Sequence, residues 1–240
     1  MNALRSAAFA LCLCLPALAQ RDARPVPGNG TIDQPGSYML TGDRQAAGGR
    51  AAIVITSSDV TLDLNGQGVS GGTAIEIRGA NGVTVRNGNI ATTGMGVLVM
   101  NSNNLRLEGL NIRGTGNEMG IVVVGSKNAM IAGNLIYNVF LGVFVRGSAS
   151  RGNRIANNTI TAGTGGMLGI CYNPADNDRE GPRGDLITGN VISGFELGFQ
   201  ASATSRYNLF KGNSVFFRVK AFELLNDTNK ETGTDAISLQ

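Results

Sequence analysis

The chain has 240 residues, with 20 Lys and Arg against 17 Asp and Glu, a formal charge of +3, and neither His nor Trp. The two signs are interspersed with no run of Lys or Arg, which argues against nucleic acid as a partner. The absence of His removes the usual general base and the commonest metal ligand, and 35 Gly with little 3.6-residue periodicity point to a turn-rich all-β chain.

The chain opens with a short charged stretch, MNALRS, followed by the apolar AAFALCLCLPAL and the small-residue site Ala17-Leu18-Ala19. This layout predicts a signal peptide over residues 1–19 and a secreted or periplasmic mature chain. The apolar run is short of the ~20 residues that span a bilayer, and no later run is long enough, so no transmembrane segment is expected after cleavage. Cys171 is then the one cysteine left, and no intramolecular disulfide can form. Residues 20–50 are expected to form an N-terminal cap, with GSYML (36–40) as an edge strand.

From residue 51 to about 225 one phrase recurs: apolar, any, Gly or Asn, any, any, apolar. The closing apolar residues are Val69, Ile90, Ile112, Ile136, Ile160, Ile192 and Val215. Five residues before each stands another apolar side chain, Leu64, Val85, Leu107, Ile131, Ile155, Ile187 or Phe210. Three residues before each stands Gly66, Asn87, Gly109, Gly133, Asn157, Gly189 or Gly212, the two residue types that enter the left-handed region most cheaply. Asn134, Asn158, Asn190 and Asn213 come directly after the last four of these hinges and form an Asn column. A further short strand precedes each phrase, as in GVLV (96–99), GIVVV (120–124), GVFV (142–145) and GICY (169–172). A period of 20–50 residues means stacked units. Here each unit reads as three short strands, giving an all-β solenoid of about 7 coils. Residues 226–240 are polar and read as a C-terminal tail or weak cap.

These repeated GIxV and GNxI phrases resemble the right-handed parallel β-helix proteins, the pectate-lyase-like superfold, over about residues 50–225. The competing architecture is a leucine-rich repeat, which NNLRLEGLNI (103–112) fits when taken alone. The other units lack its Leu framework. The resemblance implies a site on the outer face of the first strand of each coil and the loops beside it. It also shows what is missing: without His, neither the Gly-His-Gly element of polygalacturonases nor the His-bearing motif of alginate epimerases is present.

Two features fall on that face. The loop NPADNDREGPRGD (173–185) gathers Asp176, Asp178, Arg179, Glu180, Arg183 and Asp185, and long loops on rigid scaffolds concentrate function. Asp176 and Asp178, with Glu180, are candidate Ca²⁺ ligands. Arg179 and Arg183 are candidates to neutralise a uronate carboxylate or to act as the base of a lyase. A solvated loop with loosely paired charges is the plainer reading. The second feature is an outward row, Glu76, Leu98, Val122, Phe144, Cys171, Gln200 and Glu223, apolar in its middle. Leu98, Val122 and Phe144, with Tyr172 and the loop residue Glu180, are candidate binding residues. A covering segment, a ligand groove and self-association each account for such a stripe. Cys171 reads as a small filler rather than a thiolate, with only Arg179 or Arg183 to activate it.

Three functions remain open: a non-catalytic binder of an extracellular polysaccharide or envelope component, a Ca²⁺-assisted lyase of uronate polymers, and a self-assembling surface protein.

Overall fold

A computed structural model describes residues 23–175 and 178–239; the expected signal peptide lies outside them. The described chain is all-β and winds as a right-handed parallel β-helix with three strand positions per coil. The first sheet stacks Thr31–Ile32, Ile53–Ile55, then Met119–Val124, Leu141–Arg146 and Leu168–Asn173 among its strands, each parallel to the next. The second sheet runs from Gly36–Met39 through Val60–Asp63 to Lys230–Thr232. The third runs from Arg44–Gln45 to Asp235–Ser238.

The expected count of seven coils is corrected to about nine. Counting hinge phrases misses circuits at both ends. Residues 31–45 already place strands in all three sheets, and GSYM pairs in register with Val60–Asp63. Among the described strands only Arg24–Pro25 lies beyond this coil, on Tyr38–Met39, with the Arg24 guanidinium 4.7 Å from the Tyr38 ring centre. At the other end Lys230–Thr232 and Asp235–Ser238 continue the second and third sheets.

Each of the seven hinges between second and third strand is left-handed, with φ from 54° at Asn157 to 74° at Gly66, and Gly233 repeats the turn at 60°. Turning the same corner at the same place keeps every inward side chain above its counterpart. The columns that result are aliphatic through most of the stack: Ile53, Ile75, Val97, Ile121, Val143 and Ile170 succeed one another and are fully buried. Hydrophobic burial is the main driving term here. Towards the C-terminal end aromatic rings take over, with Phe210 edge-on to Tyr172 and Phe199, and Phe222 stacked on Phe199 at 5.0 Å.

The corners are polar inside, and three ladders satisfy them. At the hinge, Asn134, Asn158, Asn190 and Asn213 each donate a side-chain N–H to a backbone carbonyl one coil back. Ser102, Ser126 and Ser150 accept backbone N–H groups across the first corner. Asn153, Asp185, Asn208 and Asn229 form the third ladder just after it. Buried backbone groups are thus paired even where no strand passes.

Candidate functional site

The outward row of the first sheet is in register as the sequence predicts. Glu76 pairs with Leu98, and Val122, Phe144, Cys171, Gln200 and Glu223 continue the row. Its middle is less available than expected. Val122 is only 4% exposed, while Leu98 and Phe144 are half-buried. A small apolar cluster of Leu141, Leu168 and Cys171, with Met119, Phe140, Phe144 and Leu197 packed on it, grows over this face. The Arg146 guanidinium lies 5.3 Å from the Phe144 ring centre. Part of the stripe is therefore covered by its own neighbours.

Tyr172 is not a surface binding residue. Ile170 and Tyr172 both point inward, as alternation along a strand requires, and Tyr172 is fully buried against Phe210. Cys171 points outward but is buried, and its thiol is pushed up to about 12 by burial, with Arg146 opposing. It remains protonated at neutral pH, and Asn173 Nδ2 and Gln200 Oε1 stand 3.4 and 3.5 Å from the sulfur. Such a group supplies no thiolate chemistry.

The 173–185 loop separates rather than converges. Asp176 lies outside the described residues. Asp178 Oδ2 accepts from the backbone N and Oγ of Ser148, at 2.8 and 3.1 Å. Among the described residues no three His, Cys, Asp or Glu side chains gather as a metal group. Arg179 and Glu180 are exposed. Arg183 is held by an ion pair with Glu180 at 3.3 Å and by backbone bridges in the first corner, where it lies between Arg151 and Arg206.

Asp185 sits at the foot of this loop, almost fully buried, where the neighbouring coils place Asn153 and Asn208. Burial raises its carboxyl from 3.8 to about 6. Bonds from the Asn153 N–H and side-chain amide, with the Tyr172 hydroxyl beside it, oppose the rise. Between about pH 4 and 6 the folded chain thus holds a proton that the unfolded chain releases, so this group's contribution to stability falls as pH rises through that window. The shift of about two units corresponds to roughly 2–3 kcal/mol at neutral pH. Asp185→Asn should remove that loss, because Asn190 at the equivalent place in the hinge ladder accepts both bonds on one oxygen. Urea unfolding at pH 5 and pH 7.5 checks this: the variant should be the more stable at pH 7.5 and show a flatter pH profile. Glu118 acts oppositely. Burial raises its carboxyl, but bonds from Thr115, Gly116 and Asn117 outweigh this and hold it below the ordinary range. Its stabilisation is lost as pH falls into the acid range.

A basic column along the first corner is not apparent in the linear sequence. Lys127, Arg151, Arg183 and Arg206 succeed Asn81 and Asn103 in a continuous run of parallel bridges there. They stand 24, 32 and 23 residues apart in sequence, so no basic run is visible. The signal was a cation two residues before each position of the third ladder, which Ala129 opens in its coil: SKNA, SRGN, PRGD and SRYN. Lys127, Arg151 and Arg183 line a shallow cleft of about 550 Å³ with Tyr207. Another cleft, of about 590 Å³, crosses the third sheet near the N-terminal end beside Asn89, Arg113 and Tyr137. Its other charges are committed to the backbone, Arg44 to Ala52, Pro27 and Gly28 and Asp43 to Gly68.

A profile of the family described as periplasmic copper-binding protein (NosD) matches residues 28–229. The chain belongs to the NosD family. That family is periplasmic, in keeping with the expected secreted or periplasmic location. No curated protein matches the chain by sequence. Among solved structures the chain is similar to the alginate lyase from Paenibacillus sp. str. FPU-7, at 14% identity and a TM-score of 0.56, covering 88% of this chain and 95% of that one. It is similar to the periplasmic alginate epimerase AlgG, at 13% identity and a TM-score of 0.54, over 79% of this chain and 61% of that one. It is also similar to the tailspike protein of E. coli bacteriophage HK620 in complex with a pentasaccharide, at 11% identity and a TM-score of 0.59. There 88% of this chain covers 44% of the tailspike. At such identities these likenesses establish the shared β-helix.

The copper of the NosD family name does not fit the side chains of this member. Cupric sites draw on imidazole and cuprous sites on thiolate and thioether. The chain has no His, and the Cys171 thiol is buried and protonated. Met95 and Met119 adjoin in register, but the next residue in their column is Leu141. Copper titration of the chain from Gln20 onward should show no stoichiometric complex in competition with a cuprous or cupric chelator. A one-to-one complex that survives the chelator contradicts this.

Proposed function

We propose that this NosD-family β-helix protein binds a periplasmic or extracellular polysaccharide, or another envelope component, without transforming it. The observation that carries this reading is the outward row of the first sheet. Where a lyase of the fold would assemble a base and a charge partner, the row offers Leu98, Val122, Phe144 and a protonated Cys171. Of the two candidate bases, Arg183 is drawn into the basic column instead and Arg179 is exposed on the loop. General acid–base work needs a titrating group within hydrogen-bond reach of the reacting proton. Support also comes from the structural neighbours, two named for acting on alginate and one shown with a bound pentasaccharide.

Affinity electrophoresis through gels carrying acidic and neutral polysaccharides tests the reading. Retardation in at least one polymer, with no unsaturated product released, is the expected result. Free migration through all of them overturns it. Repeating the series with Ca²⁺ and with a chelator tests whether Asp176 and Asp178 bridge a cation to the polymer.

A further inference from the structure

Four cations in consecutive coils are an unusual thing to stack. Strands of neighbouring coils lie about 4.8 Å apart, and the backbones of Lys127, Arg151, Arg183 and Arg206 are bridged directly to one another. Like charges at that spacing repel, and none of the four is buried: Arg151 and Arg206 are exposed, and Lys127 and Arg183 are half-buried. Among the described residues Glu180 is the one carboxylate paired to this column, on Arg183. An external anion is what such a column lacks.

Tyr207 adds an independent observation. It stands directly after Arg206, at the position where preceding coils place Asn104, Asn128, Gly152 and Gly184, all left-handed. Asn and Gly enter that region cheaply; Tyr does not. Yet Tyr207 adopts φ 58°, and the residue is 65% exposed beside the column, lining the same cleft as Lys127, Arg151 and Arg183. Neither turn preference nor packing accounts for an aromatic ring here. Strain held at one exposed residue points to use.

We infer that the first-corner column of Lys127, Arg151, Arg183 and Arg206, with the Tyr207 ring, is a binding track for a linear polysaccharide carrying one carboxylate on each sugar. The cations meet successive carboxylates as the polymer runs along the solenoid axis, and the ring supports a sugar face. Arg151 and Arg206 supply forked donors matched to carboxylate. This inference rests on the polysaccharide-binding reading and names the polymer's chemistry and its place.

The test measures affinity for a polyuronate, for a neutral glucan and for single-stranded DNA, each at low and moderate salt. The variants are Arg151→Gln/Arg206→Gln and Tyr207→Asn. Wild type should bind the polyuronate with an affinity that falls steeply with salt. The double variant should lose at least tenfold, and its salt dependence should flatten. Tyr207→Asn should weaken binding several-fold while its melting temperature stays level or rises, because Asn suits the left-handed corner; a structural role for the ring would lower the melting temperature instead. Unchanged polyuronate binding in the double variant overturns the track. Binding of the neutral glucan alone overturns the track and leaves the polysaccharide reading standing. Binding of DNA but not polyuronate overturns the choice of polymer, and binding of nothing overturns both readings.

Discussion

Gly120→Ala should destabilise the protein by about 3 kcal/mol or more, the upper range for forcing extra volume into a packed interior. Gly120 has an ordinary strand conformation, so the effect is steric. An added Cβ would stand 2.5 Å from the Gly142 carbonyl oxygen of the next coil and 2.5 Å from Cγ2 of Ile136. The first atom is backbone held in a parallel ladder, and the second belongs to a fully buried core residue. Neither can yield without moving a coil. The same clash recurs at Gly96, Gly142, Gly169 and Gly198, each at the entry to a first-sheet strand. Gly133→Val is the informative comparison. A Cβ there meets open space, so only the left-handed backbone at φ 63° opposes it, at about 1–2 kcal/mol. Urea midpoints of the two variants should rank in that order. Equal midpoints would show that neighbouring coils are not in the close register described.

Asn158→Leu should cost about 3–5 kcal/mol. Asn158 is 1% exposed and near-isosteric with Leu, so the change removes hydrogen bonds rather than volume. Its Oδ1 accepts from the Asn134 backbone N–H and side-chain amide, both at 3.0 Å. Its Nδ2 donates to the Ile131 carbonyl and to Asn190 Oδ1, both at 2.9 Å. Leu leaves the Asn134 N–H and amide without their acceptor and the Ile131 carbonyl without its donor, and each such orphan costs about 1–3 kcal/mol. Asn157→Gly, one residue earlier, is an exposed left-handed hinge and should change stability little. Chemical denaturation of both checks the contrast. A near-neutral Asn158→Leu would mean that the ladder does not carry the corner.

The fold was legible because its physics repeats. A hinge that must be left-handed every circuit leaves Gly or Asn at one phase of the sequence, and inward columns leave apolar residues at two others. The outward row from Glu76 to Glu223 obeys the same phase. The end coils were not legible, since residues 31–45 make their circuit without the hinge phrase. Among the site residues, Leu98, Val122 and Phe144 fall on the predicted face. Phe144 and Cys171 are drawn into a second cluster with Phe140 and Leu168, whose approach no local pattern announces, and Val122 is itself buried. Tyr172 was misplaced because a polar ring invited a surface role, while strand alternation puts it inside beside Asp185. The basic column was hidden for a different reason. Its members are 23 to 32 residues apart, and only stacking turns isolated Lys and Arg residues into a line of charge. The linear sequence shows no run of Lys or Arg, and the coil register supplies the line of charge that it lacks.

The measurement that bears most directly on a binding rather than a catalytic role is the chain-length distribution of a polyuronate after prolonged incubation with excess protein, under conditions where the polymer is retained. Retention with an unchanged length distribution is the predicted outcome. Progressive shortening with unsaturated chain ends, abolished by Arg183→Ala, would contradict it and restore the lyase reading.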